Sequence, residues 1–334
     1  VLKTAIIGAG GISHSHVDAI GQMGNMTVTG VFDLDSGKAQ AVAAKAGAEA
    51  YDRYEELLPL VDTVHILTPP STHREYAIKA LAKGKAVFCE KPMTVTIEDA
   101  TAIVEAVERY GGLFMVGFNM RFRPAFLRLE EIVKGKDLGR ILNFFCYRLG
   151  SGAGLGGEEY WPGWRTDPQF ACGMTIESLS HDLDMLLALV GEVADVRANA
   201  LGTREDLPDF DNHANVVMTL VNGGTALIHA SWASYLPGSA RGVLGLDGSV
   251  AIEGKDIWDF DILRLRTKKM EREVIERFDD KFDGKSYLAE NRYFAECVEM
   301  GTKPRINEYN GLETVKISQA ILRSHRQRIV VSLD

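Results

Sequence analysis

The chain has 334 residues, 46 % of them hydrophobic and 25 % charged, with a net charge of −9. That length accommodates two domains with real cores, and the acidic balance argues against a nucleic-acid or anionic-membrane partner. No stretch reaches the roughly 18 apolar residues of a membrane span, and because the chain enters a strand at once no signal peptide is expected.

In chain order, the first third alternates apolar runs at 3–7, 27–32, 63–67, 86–89 and 113–117 with helical patterns at 13–23, 36–46, 54–58, 73–83 and 96–110. Strands separated by helices imply right-handed crossovers and a parallel sheet covered on both faces. Gly84 and Gly111 stand where helix C-caps belong. The first run opens into Gly8-Ala9-Gly10-Gly11-Ile12-Ser13 and the second ends at Asp33. This is the layout of a dinucleotide-binding βαβ unit, with Ser13 in place of the usual last glycine. Gly8, Gly10, Gly11 and Ile12 let the backbone approach a pyrophosphate at a helix N-terminus, and Asp33 accepts from ribose hydroxyls. The Asp33 charge repels a 2′-phosphate and no Arg follows it, which favours NAD over NADP. The ends of the next strands add Thr68, Pro69 and His73, then Glu90 and Lys91, on the ligand side of such a sheet.

After residue 121 the texture changes to alternating runs at 141–149, 193–201, 215–220, 225–232 and 262–267, with a hairpin turn at Asn222-Gly223-Gly224. The division is therefore a Rossmann domain over 1–121 and an α+β domain over 122–334 with an open, mainly antiparallel sheet. Helices at 174–190, 286–300 and 311–326 flank that sheet, and the C-terminal one can pack back on the first domain. The glycine-rich stretch 150–157 reads as a loop at the domain junction.

On a helix through 177–190, Leu179, Leu183, Leu186, Leu187 and Val190 share one face, and Glu177, His181, Asp184 and Ala188 share the opposite one. A Glu and a His at i, i+4 touch, so the carboxylate can orient the imidazole as a general base; a solvated helix face is the bland alternative. Asp184 reads as a structural hydrogen-bond acceptor. Asn119, Arg121, Trp164 and Arg165 offer the aromatic face and polar groups that suit a sugar or cyclitol, and equally suit packing at the junction. His14 and His16 read as exposed or capping residues on the first helix, His65 as strand packing, and His213 and His229 as sheet-face residues. No HExxH spacing suggests a metal, and none is expected. Cys89, Cys146, Cys172 and Cys297 form no CxxC pair, so a reduced, cytoplasmic protein without structural zinc is expected.

The turn at 8–13, LTPPSTH at 67–73 and EKP at 90–92, in this order and spacing, resemble the Gfo/Idh/MocA family, the glucose–fructose oxidoreductase and inositol dehydrogenase group. The likeness continues through 116–122, Trp164-Arg165 ahead of Cys172-Gly173-Met174, the HDLD run at 181–184 and the pattern Tyr287…Glu290…Phe294. The resemblance implies a cis Lys91–Pro92 bond and a homodimer or homotetramer built through the C-terminal sheet. It implies Lys91 as the lysine that hydrogen-bonds the reacting hydroxyl and His181 as the catalytic base, with Glu177 where many members carry Asp. The implied activity is hydride transfer between NAD and a secondary hydroxyl of a sugar, sugar derivative or polyol. Two rivals stand beside it: NAD-assisted glycoside cleavage on the same fold, and an NAD(H)-binding regulatory protein without turnover.

Overall fold

The computed structural model describes residues 1–151, 164–207, 210–279 and 284–333. The elements run β1 (Leu2–Ile7), α1 (Gly11–Ile20), β2 (Met26–Phe32), α2 (Ser36–Ala46), β3 (Glu49–Tyr51), α3 (Tyr54–Leu57), β4 (Thr63–Ile66), α4 (His73–Ala82), β5 (Ala86–Glu90), α5 (Ile97–Tyr110) and β6 (Phe114–Gly117). Then follow α6 (Pro124–Lys134), β7 (Ile141–Ser151), α7 (Gly173–Glu177), α8 (Ser180–Val190), β8 (Val193–Leu201), β9 (His213–Leu220) and β10 (Thr225–Ser231). The rest are β11 (Ala233–Gly245), β12 (Gly248–Gly254), β13 (Ile262–Thr267), β14 (Val274–Arg277), α9 (Lys285–Met300), α10 (Glu308–Gln327) and β15 (Val331–Ser332). The expected loop over 150–157 falls, from residue 152 on, outside the described residues.

Two compact units result: Val1–Asn119 with Gly284–Val315, and Met120–Asp283 with Lys316–Asp334. In the first, six parallel strands pair in the order β3-β2-β1-β4-β5-β6. The order reverses between β1 and β4, which is where doubly wound sheets open a crevice at their carboxyl ends. Helices cover both faces, and the central strand β4 buries all four of its residues. The helix ends follow local chemistry. Asp35 caps α2 by accepting from the Gly37 and Lys38 N–H groups, Thr96 caps α5, and Gly111 closes α5 at φ +65°.

The second unit holds nine strands in the order β14-β13-β12-β11-β7-β10-β9-β8-β15. All pairs are antiparallel except β7 with β10. The Asn222 turn joins β9 to β10, as its sequence predicts, with the Asn222 side chain accepting from Gly224 N–H. One face of the sheet carries Phe144, Cys146, Val216, Ile228 and Val243 into the core beneath α6 and α8.

One assignment needs correction. Helix 286–300 was expected beside the second sheet, but α9 belongs to the first unit and packs on α1. Its buried face is Tyr287, Asn291 and Phe294, and the Phe294 ring meets His65 and Phe88 edge-on. Those rings lie on β4 and β5, so the stripe fits only there. Phe294→Ala is expected to destabilise the first unit by about 3–5 kcal/mol in denaturant unfolding; a loss below about 1 kcal/mol would contradict this packing.

Candidate functional site

In the first unit the glycine turn is fixed by its neighbours. Gly8 has φ +97°, and a Cβ there would meet the Leu67 carbonyl and Thr68 nitrogen at 2.8 Å. Only glycine fits that approach. A Cβ on Gly10 or Gly11 would instead meet open space, the clearance a close-lying phosphate requires. No side chain caps α1 and no acidic residue stands in its first turn, so its N-terminal N–H groups and dipole face that space uncovered. Ser13, the irregular last position, is buried and donates its hydroxyl to the Gly10 carbonyl, 2.6 Å away. Asp33 accepts from the main-chain N–H of Ala9 (2.6 Å) and of Asp35 (2.8 Å), which ties the acid to the turn. These features fit a dinucleotide.

The strand-end residues settle differently. His73 is buried, and burial lowers its pKa. Its Nε2 lies 2.7 Å from the Thr68 carbonyl, and its Nδ1 lies 3.1 Å from the Met93 carbonyl and 3.3 Å from the Cys89 thiol. It shapes the 68–73 turn and is no base. Pro69 precedes that turn, and the Thr72 hydroxyl binds that of Thr68 at 2.7 Å. Glu90 accepts from His16 Nε2 and from the Lys91 main-chain N–H, both at 3.0 Å. Lys91–Pro92 is cis, as the family resemblance implies. Asn119 is buried with its amide 3.5 Å from the Ser286 hydroxyl.

His16 corrects the sequence reading. It is not exposed but fully buried, on the α1 face that also carries Ser13, Val17 and Ile20. That i, i+3, i+4, i+7 spacing was visible in the sequence and places the ring toward the sheet.

In the second unit the expected helix through 177–190 is interrupted. Ser178 and Leu179 N–H both bond to the Met174 carbonyl, closing α7, and α8 starts anew at Ser180. At this break Arg148 on β7 donates to the Ser178 carbonyl (3.1 Å) and hydroxyl (2.6 Å). Glu177 ends α7 and His181 stands in the first turn of α8. The polar stripe is also not solvated, since Glu177, His181 and Asp184 are all buried.

Each acid of the stripe has an arginine. Glu177 accepts from Arg165 Nε at 2.5 Å, and the Arg165 guanidinium lies 4.6 Å above the Trp164 ring, so three predicted site residues come together. Asp184 takes Arg121 through both carboxylate oxygens, at 2.6 and 2.8 Å. Arg121, expected to contact substrate, is thus committed to holding α8, because a buried guanidinium needs its counter-charge. Sequence reasoning passed over Asp182, which accepts from Arg148 and Arg241 in a fully buried cluster. Burial opposes its charge, but Arg241 and Arg148 outweigh it and hold the carboxyl below its usual range. Arg148 also lies against the Trp258 ring, which stands edge-on to His181 at 6.1 Å. The strand parity of Phe144, Cys146 and Arg148 was the available signal that Arg148 points inward.

Two family descriptions match the chain: "Oxidoreductase family, NAD-binding Rossmann fold" over residues 2–118 and "GFO/IDH/MocA C-terminal domain" over residues 126–251. Similar curated proteins include scyllo-inositol 2-dehydrogenase (NAD(+)) of Bacillus subtilis, 27% identical over 100% of this chain and 96% of that protein. D-xylose 1-dehydrogenase (NADP(+)) 2 of Haloferax volcanii is 28% identical over 98% of this chain and 99% of that one. Among solved structures, levoglucosan dehydrogenase in complex with NADH superposes with a TM-score of 0.90 at 20% identity, covering 100% of this chain and 99% of that chain, which shows a shared fold.

One group in the second unit gives a pH signature. Asp211 accepts from the Thr175 N–H and hydroxyl at the start of α7, and burial pushes its carboxyl up to about 6 despite those bonds. A folded pKa above the unfolded 3.8 means that stability falls as pH rises between the two values. Asp211→Asn is therefore expected to gain on the wild type from pH 4 to 6, by up to about 3 kcal/mol, and no further above that. Denaturant midpoints across pH 4–8 check this, and a constant difference over the range contradicts it.

Proposed function

Because the chain belongs to the GFO/IDH/MocA oxidoreductase family, we propose that it transfers a hydride between NAD and a secondary hydroxyl of a sugar, sugar derivative or polyol. The observation that carries this reading is the open cradle at Gly10 and Gly11 ahead of an uncapped α1, with Asp33 tied beside it. Gly8, Ile12, Thr68 and Pro69 shape the cradle. The Asp33 carboxylate accepts ribose hydroxyls and repels a 2′-phosphate, which supports NAD over NADP. Bound there, NAD supplies the hydride acceptor.

The protein's own groups manage the proton and the developing charge. His181 takes the hydroxyl proton, and Lys91, as a cation, stabilises the alkoxide-like oxygen. Glu177 holds Arg165 on the Trp164 face, so that an apolar sugar face meets the indole and hydroxyls meet the guanidinium. Asn119 adds an amide for a further hydroxyl.

A homo-oligomer through the second sheet belongs to this reading. Its outer face carries Tyr147, Leu227, Val217 and Leu201, each about half exposed, with Leu227 directly opposite Val217. An exposed apolar patch of that kind suits association with another copy. No helix among the described residues is long and apolar enough to cross a membrane, and the four free cysteines suit a reducing cytoplasm.

A panel of sugars and polyols with NAD, followed by NADH absorbance, tests the activity. Lys91→Ala and His181→Ala are each expected to lower kcat by about 10²–10⁴-fold while NAD still binds. Wild-type turnover in both variants would defeat the assignment.

A further inference from the structure

Glu290 on α9 is a fully buried acid to which hydride transfer gives no task. Its carboxylate, that of Glu90 and the His16 ring each place one atom within 4.8 Å of the others. Neither Glu290 oxygen has a hydrogen-bond partner among the described residues. Three such groups suggest a cation, but the protons around His16 argue otherwise.

The Tyr287 carbonyl accepts from the Asn291 amide nitrogen at 2.8 Å, which fixes the orientation of that amide. The same nitrogen donates to His16 Nδ1 at 3.0 Å, and the amide oxygen accepts from His65 Nε2 at 2.8 Å. His16 therefore keeps its one ring proton on Nε2 and gives it to Glu90. Neither nitrogen has a lone pair left for a metal. His65 is neutral as well, because burial lowers its pKa to about 3.

The trio is thus two carboxyl groups beside a neutral imidazole in a water-poor pocket, where both acids cannot ionise together. Glu90 accepts two N–H groups and Glu290 none, so the charge sits on Glu90 and the proton on Glu290. Burial and the Glu90 charge both push the Glu290 carboxyl well above its ordinary range.

We infer that Glu290 is carried as a neutral carboxylic acid whose O–H faces the Glu90 carboxylate and keeps it ionised, so that Glu90 holds the main chain at Lys91. Glu290 is then a positioning residue, acting through Glu90 on the turn that presents Lys91. The functional half rests on the proposed role of Lys91; the protonation half does not.

Denaturant unfolding of the wild type and Glu290→Gln between pH 5.5 and 8 tests the protonation. Glu290 loses its proton on unfolding and the glutamine does not. The wild type should therefore weaken against the variant by about tenfold in unfolding constant per pH unit. His16, His65 and Glu90 are common to both proteins and cancel. Parallel curves would overturn the inference. So would Mg²⁺, Mn²⁺ or Zn²⁺ raising the Tm of the wild type but not of the variant, which would make the trio a metal site.

The pH profile of kcat tests the positioning. Glu290→Met fills the space without a donor, so the Glu90 carboxylate loses the O–H group that faces it. The acid limb is expected to move up by about half a pH unit or more, and Glu290→Gln, whose amide donates, to restore it. An unmoved acid limb in Glu290→Met would remove the positioning role. The unfolding comparison needs no turnover, so a failure of sugar oxidation and a failure of this inference give different results.

Discussion

A carboxylate buried at the end of a parallel strand must be met by donors, and Glu90 is where this fold satisfies that requirement. Left unpaired, such a charge costs several kcal/mol, about 3–5 when one partner of a buried pair is removed. Glu90 is met by His16 from α1 and by the Lys91 main chain. The first helix and the lysine turn are thereby joined at one acid. His16 is in turn held by Asn291 on α9, which explains why a helix from the far end of the chain completes the first unit.

The second unit repeats the rule with arginines. Asp182 lies between Arg148 and Arg241, and Asp184 is clasped by Arg121. These pairs do more than neutralise charge. Arg148 also donates to Ser178 where α7 gives way to α8. Glu177, at the end of the preceding short helix, accepts from Arg165.

The parallel sheet was legible because its signals are local. Apolar runs, a glycine turn and an acid-tipped strand sit within the first 33 residues, and the pattern repeats. The hairpin at Asn222 was legible for the same reason. What stayed hidden depends on contacts far apart in sequence. Arg148 reaches Ser178 across 30 residues, and Asn291 reaches His16 across 275. A helical-wheel argument on 177–190 could not foresee the break at Ser178 and Leu179. His16 was misread for another reason. Polarity on a helix points to exposure, whereas the spacing with Val17 and Ile20 puts His16 on the buried face.

The cradle at Gly10 and Gly11 and the groups on Lys91 and His181 together claim that a hydride leaves the substrate carbon for the nicotinamide. Deuterium tracing tests that claim directly. A polyol or sugar that turns over, labelled at its carbinol carbon, should place its deuterium on C4 of the NADH released, as read by NMR or mass spectrometry. Bound NAD that never acquires the label, with the substrate unchanged or its label returned to a cleaved glycoside, would contradict the account.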